Sequence, residues 1–254
     1  MNAEGMTSSG ERPRVLGQVE RFLTFVHVRQ KVRISELGLI EGEPLRELCR
    51  LMEPTSGRSG YPKQEREVPL LFFVDTLCRA CGMVRLEDFH LKTSQYGYLY
   101  LARAAEKRHT MLLSAFLKDY PWHFLFPRGV VARQLEDSRL GALRYLLDRK
   151  PDEETAIAEF SVALSKRLGL DPGTQPQPYP EHIIEWTIRH AFLQPLSILG
   201  ILTLLNNKGG EVIDVRAAEA FSVSFEGSEL LNKSEIGLSD DGLAGGSDIP
   251  VGED

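Results

Sequence analysis

Cys78-Arg-Ala-Cys81 sets two thiols three residues apart, half of a tetrahedral zinc set that Cys49 and His90 could complete. The same spacing serves redox chemistry when a strand precedes it and a helix follows. Here it closes a strongly apolar segment, where cysteine packs as a small hydrophobe, so core thiols are the third reading. Further along, His182-Ile-Ile-Glu185 and His190 could bring two imidazoles and a carboxylate to one side of a helix. No His-Glu-x-x-His accompanies them, so they read as polar positions of an amphipathic helix. Asp148, Asp152, Glu153 and Glu154 cluster about a helix boundary, where helix-end electrostatics accounts for acids without a cation. Phosphate-loop, dinucleotide-binding and hydrolase-elbow motifs are absent from the sequence. With no catalytic constellation, we expect a chain that is not an enzyme and takes no cofactor.

Basic residues suggest a different chemistry. The 254 residues carry 36 Asp and Glu against 30 Lys and Arg, a net charge of −6. Residues 227–254 hold seven acids and one base, which is the whole excess, and the rest of the chain is neutral. Within that body, residues 1–109 have 17 bases against 14 acids, so an anionic partner would prefer the first half. Arg29, Lys31 and Arg33 follow the first helical segment, and Arg50, Arg58, Lys63 and Arg66 surround the loop 53–66. These seven are the candidates for phosphate contacts. A solvated face or an acidic protein partner explains them equally. The acidic tail could itself shield them until a partner displaces it.

The elements that must position these residues follow from periodicity. Apolar residues from Val15 to Val28 recur at three- and four-residue spacing, which predicts a helix. A short strand at 32–34, a helix opened by Glu43-Pro44, and a helix from about Glu67 to Cys81 come next. Gly82 caps that last helix, residues 83–93 read as a hairpin with its tip at Glu87-Asp88, and Ser94 caps a new helix. Helical segments are expected near 105–118, 130–149 and 152–168, the last opened by Pro151-Asp-Glu-Glu. A linker with four prolines spans 171–180, followed by a helix to about Leu199 with a kink at Pro195. Asn206-Asn-Lys-Gly-Gly210 then turns a second hairpin. No stretch reaches the ~20 apolar residues of a bilayer span, the first residues lack an apolar signal region, and three cysteines form no disulfide framework. A cytoplasmic protein with reduced thiols is the expectation.

Two regions match each other. Cys81-Gly82-Met83-Val84 parallels Leu199-Gly200-Ile201-Leu202, and Ser94-Gln-Tyr-Gly97 parallels Ser224-Phe-Glu-Gly227. In each copy a helix ends at glycine, a hairpin follows, and a serine three residues before a glycine restarts a helix. The order helix, short strand, helix, helix, hairpin resembles the winged helix-turn-helix superfamily, and the pattern is similar to that of bacterial winged-helix proteins. The resemblance implies a mainly α fold with small β-hairpins. Its parts would be a disordered segment 1–13, a first module 14–104, a helical bridge 105–170, the linker 171–180, a second module 181–232 and a disordered acidic tail 233–254. It also implies a third helix that reads a DNA groove and a wing that touches backbone. The segment 67–81 argues against that role, with one base, Arg79, and apolar residues on nearly every face. The expectation is therefore a protein-binding scaffold, with a DNA-binding regulator as the alternative. Tyr120, Trp122 and Phe124, in an aromatic belt between the modules, are the candidate partner contacts, with packed core as the competing reading.

Overall fold

Helix α1 (Arg14–Arg29) turns its periodic stripe of Val15, Leu16, Val19, Phe22, Leu23 and Val26 inward and starts the first of two units. The computed structural model describes residues 14–52, 62–125, 129–170 and 180–241. One unit comprises residues 1–121 with 198–200, the other 122–197 with 201–254. The fold is mainly α with small antiparallel sheets, as the sequence implies.

In the first unit α1 leads into β1 (Val32–Arg33), α2 (Gly42–Met52), a 3₁₀ turn (Glu65–Glu67) and α3 (Pro69–Ala80). Strands β2 (Val84–Glu87) and β3 (His90–Thr93), then α4 (Gln95–Leu101) and α5 (Ala105–Lys118), complete it. Proline at the first position of α3 sacrifices no hydrogen bond, and residues 71–78 of that helix are all buried. The three strands pair in the order β1-β3-β2. Glu87 pairs with His90, so the hairpin tip is Asp88-Phe89, one residue later than expected. Both tip residues have positive φ, +48° and +58°, the twist a two-residue hairpin requires.

The second unit begins with a 3₁₀ turn (Trp122–Leu125), α6 (Val130–Asp137), α7 (Arg139–Leu147), β4 (Thr155–Ala156) and α8 (Ile157–Leu168). Helix α9 (Glu181–Ile188) passes through a π turn (Arg189–Leu193) into α10 (Gln194–Ile198). Strands β5 (Leu202–Leu205), β6 (Glu211–Val212) and β7 (Ala220–Val223) precede α11 (Phe225–Asp241), and the sheet order is β4-β7-β5-β6.

From α7 onward this unit repeats the first in element order, including a short strand after its first helix that pairs with the returning hairpin strand. That corrects three expectations. The bridge 105–170 is not one piece: α5 belongs to the first unit, and residues 122–170 fold with the second. Pro151-Asp-Glu-Glu does not open a helix, because Asp152 takes φ +60° and donates its N–H to Val223 O, and β4 intervenes before α8. Helix α11 continues to Asp241 and so runs into the segment expected as a disordered tail. Residues 1–13, 171–179 and 242–254, also expected to be flexible, lie outside the described residues apart from the linker's last proline.

The duplicated motif has a common geometry. Gly82 and Gly200 have φ of +65° and +75°. The next residue donates its N–H back into the helix, Met83 to Cys78 O at 2.8 Å and Ile201 to Leu196 O at 2.9 Å. The carbonyls of Met83 and Ile201 then accept from the N–H of Ser94 and Ser224, where the hairpin returns. Each serine hydroxyl in turn accepts from the N–H of the glycine three residues on, at 3.1 Å from Gly97 and 3.0 Å from Gly227. A Cβ on Gly97 would lie 2.4 Å from Met83 O, and one on Gly227 2.2 Å from Ile201 O. Only glycine lets the new helix start this close to the end of the old one. Gly97→Ala and Gly227→Ala should each cost about 1–3 kcal/mol by overpacking, read as a lowered denaturation midpoint. Alanine variants as stable as the parent chain would refute this role.

Candidate functional site

Of the predicted phosphate contacts among the described residues, two arginines are held by acids and one lies over an aromatic ring. Arg29, in the last turn of α1, forks between Glu43 at 2.8 Å and Glu47 on α2. Arg33 pairs with Glu41 at 3.3 Å. The Arg66 guanidinium lies over the Phe72 ring, 5.9 Å from its centroid. Arg50 sits in the last turn of α2, Lys31 follows α1, and Lys63 precedes the 3₁₀ turn, its N–H bonded to Glu67 Oε2 at 3.1 Å. Arg58 lies outside the described residues. Exposed pairs of this kind contribute at most about 1 kcal/mol each to stability, yet they lower the positive potential that phosphate would meet.

The aromatic candidates are core. Tyr120 packs 5.3 Å from Phe73 and 5.4 Å from Phe116 and is buried. Trp122 is 0 % exposed, 5.4 Å from Phe192, with Arg139 over its ring. Neither is available as a surface anchor, because each fills its own unit's interior. The side chain of Phe124 lies outside the described set.

The thiols are not gathered into a metal site. Cys78 is fully buried, which pushes its thiol well above the ordinary range, and burial with a nearby Asp119 pushes Cys81 up to about 12. Cys49 is half-buried on α2, and His90, in β3, directs Nδ1 to Asp88 O at 2.6 Å. Among the described residues no group of three or more His, Cys, Asp or Glu is arranged to hold a metal. Glu185 is engaged by Arg189 at 2.7 Å and His190 Nδ1 by Trp186 O at 2.8 Å. Asp148 pairs with Arg167 at 3.0 Å.

Two features escaped the sequence reading. The first is a buried acid pair. Glu65, 0 % exposed, accepts the Ile40 N–H at Oε2, 2.6 Å away, while its Oε1 has no donor. Its neighbour Asp75, also buried, is forked by Arg79 at 2.9 and 2.5 Å. Burial and the Asp75 charge raise Glu65 to about 9, so at neutral pH it is a carboxylic acid whose proton bonds to Asp75. Burial also raises Asp75, while Arg79 and the Glu65 bond pull in the opposite direction. The group ties the loop before α2 to α3. Asp75 in an apolar helix with Arg79 four residues on was the legible signal; Glu65 had none.

The second feature is the hairpin of the second unit, longer than its counterpart and folded onto its own third helix. Arg189 Nη1 donates to Val215 O at 3.2 Å and Ala218 O at 2.6 Å. Gln194 clamps the same segment from both ends of its amide, donating to Ile213 O at 2.9 Å and accepting from Val215 N at 2.8 Å. Trp186, 48 % exposed, stacks with its ring 4.5 Å from His190, and Ile213 is 65 % exposed. Ile183, one turn before Trp186, adds to this uncovered apolar surface. Asp214 and Arg216 beside it pair with each other at 2.5 Å.

Comparison with protein-family models, with curated proteins and with solved structures gives no match for the chain. Among the described residues no helix is long and apolar enough to cross a membrane.

The acid pair gives a pH test. A carboxyl raised on folding stabilises the fold fully below its unfolded value near 4.5, and that contribution is lost as pH rises to about 9. Glu65→Gln keeps the acceptor for Ile40 and a donor for Asp75 without a titratable proton. Its stability relative to the parent chain should therefore increase with pH across that window in chemical denaturation. A difference that is flat in pH would show that Glu65 is ionised in the fold.

Proposed function

We propose that the chain is a non-enzymatic interaction protein built on two winged-helix units, making its contacts with protein. The repeated order of helix, strand, helix, helix, hairpin and helix supports the winged-helix assignment. The observation that carries the function is the second unit's pinned hairpin. Arg189 and Gln194 hold it against its third helix, so these two side chains are spent on hairpin backbone and are not free for base edges. What it leaves uncovered is Trp186, Ile183 and Ile213, beside charges that are already paired internally. Exposed tryptophan among neutralised charges suits a desolvating protein contact and offers nothing to phosphate. The first unit supports the same view, since its third helix is buried along residues 71–78 and Arg29 and Arg33 are paired with acids. Three free cysteines accord with a cytoplasmic setting.

The full chain should leave duplex DNA unretarded in a mobility assay at about 50 mM salt, where phosphate contacts are strong. Chemical crosslinking in source cells should trap a stoichiometric protein partner that a Trp186→Ser, Ile213→Ser chain loses while keeping its circular dichroism. Salt-dependent retardation of duplex, weakened by replacing Lys31 and Lys63, would favour the DNA-binding regulator and overturn the proposal.

A further inference from the structure

A groove of about 730 Å³ runs along α5 in the first unit. One wall is Lys107 and Met111 on α5, with Arg103 in the turn before the helix and Asp119 just past its end. The other is the end of α3 at Cys81, with Tyr96 from α4. Between the ends, Tyr96 and Met111 face a Cys81 thiol that burial keeps neutral at ordinary pH, with the hydroxyls of Thr110 and Ser114 beside them. The two ends differ in charge. Arg103 and Lys107 are exposed and have no ion-pair partner among the described residues, and they outnumber Glu106 beside them. They stand at the N-terminal end of α5, where the helix dipole adds positive potential, whereas Asp119 stands at the C-terminal end, where it adds negative potential.

We propose that this groove docks a helical segment of a partner protein with acidic residues at one end, aliphatic side chains in the middle and a basic residue at the other. The inference rests on the protein-interaction reading above and names the partner chemistry. The distance from Arg103 to Asp119 is about 24 Å at 1.5 Å per residue, the length of a helix of about 16 residues. A helix is required because the walls come from helices and their ends and present no strand edge. An extended segment would leave its backbone groups unpaired there. The graded charge fixes the orientation, acid against Arg103 and Lys107 and base against Asp119.

The test uses the full chain and two fluorescein-labelled synthetic helices of about 16 residues with the same leucine stripe. One carries glutamates at one end and lysines at the other; the second carries lysines at both ends. In fluorescence anisotropy at low salt the first should bind at least about tenfold tighter, a difference of about 1.4 kcal/mol. The Arg103→Glu, Lys107→Glu chain should invert that preference, and Met111→Asp should weaken both peptides. Both charge sites are exposed, so circular dichroism should be unchanged. Equal affinities, no saturable binding, or a preference that survives the double substitution would each overturn the groove. Loss of the groove with a Trp186-dependent partner retained leaves the broader proposal standing. Duplex DNA displacing the peptide would refute both.

Discussion

Everything in either unit hangs on how closely a new helix can start against the carbonyl of the residue that ended an old one. Met83 and Ile201 each use both backbone groups at one point. The N–H closes the preceding helix and the C=O receives the returning strand. Gly97 and Gly227 stand against those carbonyls with no room for a methyl group. This junction sets where the hairpin begins, where it returns and how the following helix departs. The sheet, the third helix and the fourth are thereby fixed to one another by a few atoms. The two third helices differ: α3 is an apolar helix with a buried acid, whereas its counterpart carries a π turn and an exposed tryptophan.

Charge is the second organising theme, and it is handled locally. The first unit has an excess of bases by composition, yet Arg29, Arg33, Arg79 and Arg108 each meet a carboxylate within the unit. At the buried Glu65–Asp75–Arg79 group, burial and the neighbouring carboxyl push Glu65 up, because two carboxylates beside one guanidinium would leave an uncompensated charge in a low-dielectric interior.

Much of the fold was legible because its signals are periodic or stereochemical. The stripe of α1, the proline near the start of α2, the glycines after α3 and α10, and the two Ser-x-x-Gly starts each follow from one local rule. The second copy's early half was not legible. Its first strand, Thr155-Ala156, is two residues long and exists only by pairing with β7, so no local pattern marks it. The acids ahead of it imitate a helix start. The candidate sites fared worse. Tyr120 and Trp122 have the composition of binding anchors, but burial is a tertiary property that composition does not carry. The uncovered surface at Trp186 depends on hydrogen bonds from Arg189 and Gln194 to a hairpin some twenty to thirty residues away. The α5 groove needs α3, α4 and α5 together.

Those hydrogen bonds have a kinetic consequence. A hairpin lengthened by insertion would ordinarily sample many conformers, and a partner would have to arrest it at the moment of contact. Gln194 and Arg189 already hold its backbone, so a molecule docking near Ile213 would meet a segment fixed in place. For such a prepared surface, encounter rates would vary little among related ligands, and discrimination would fall on how long each complex lasts once formed.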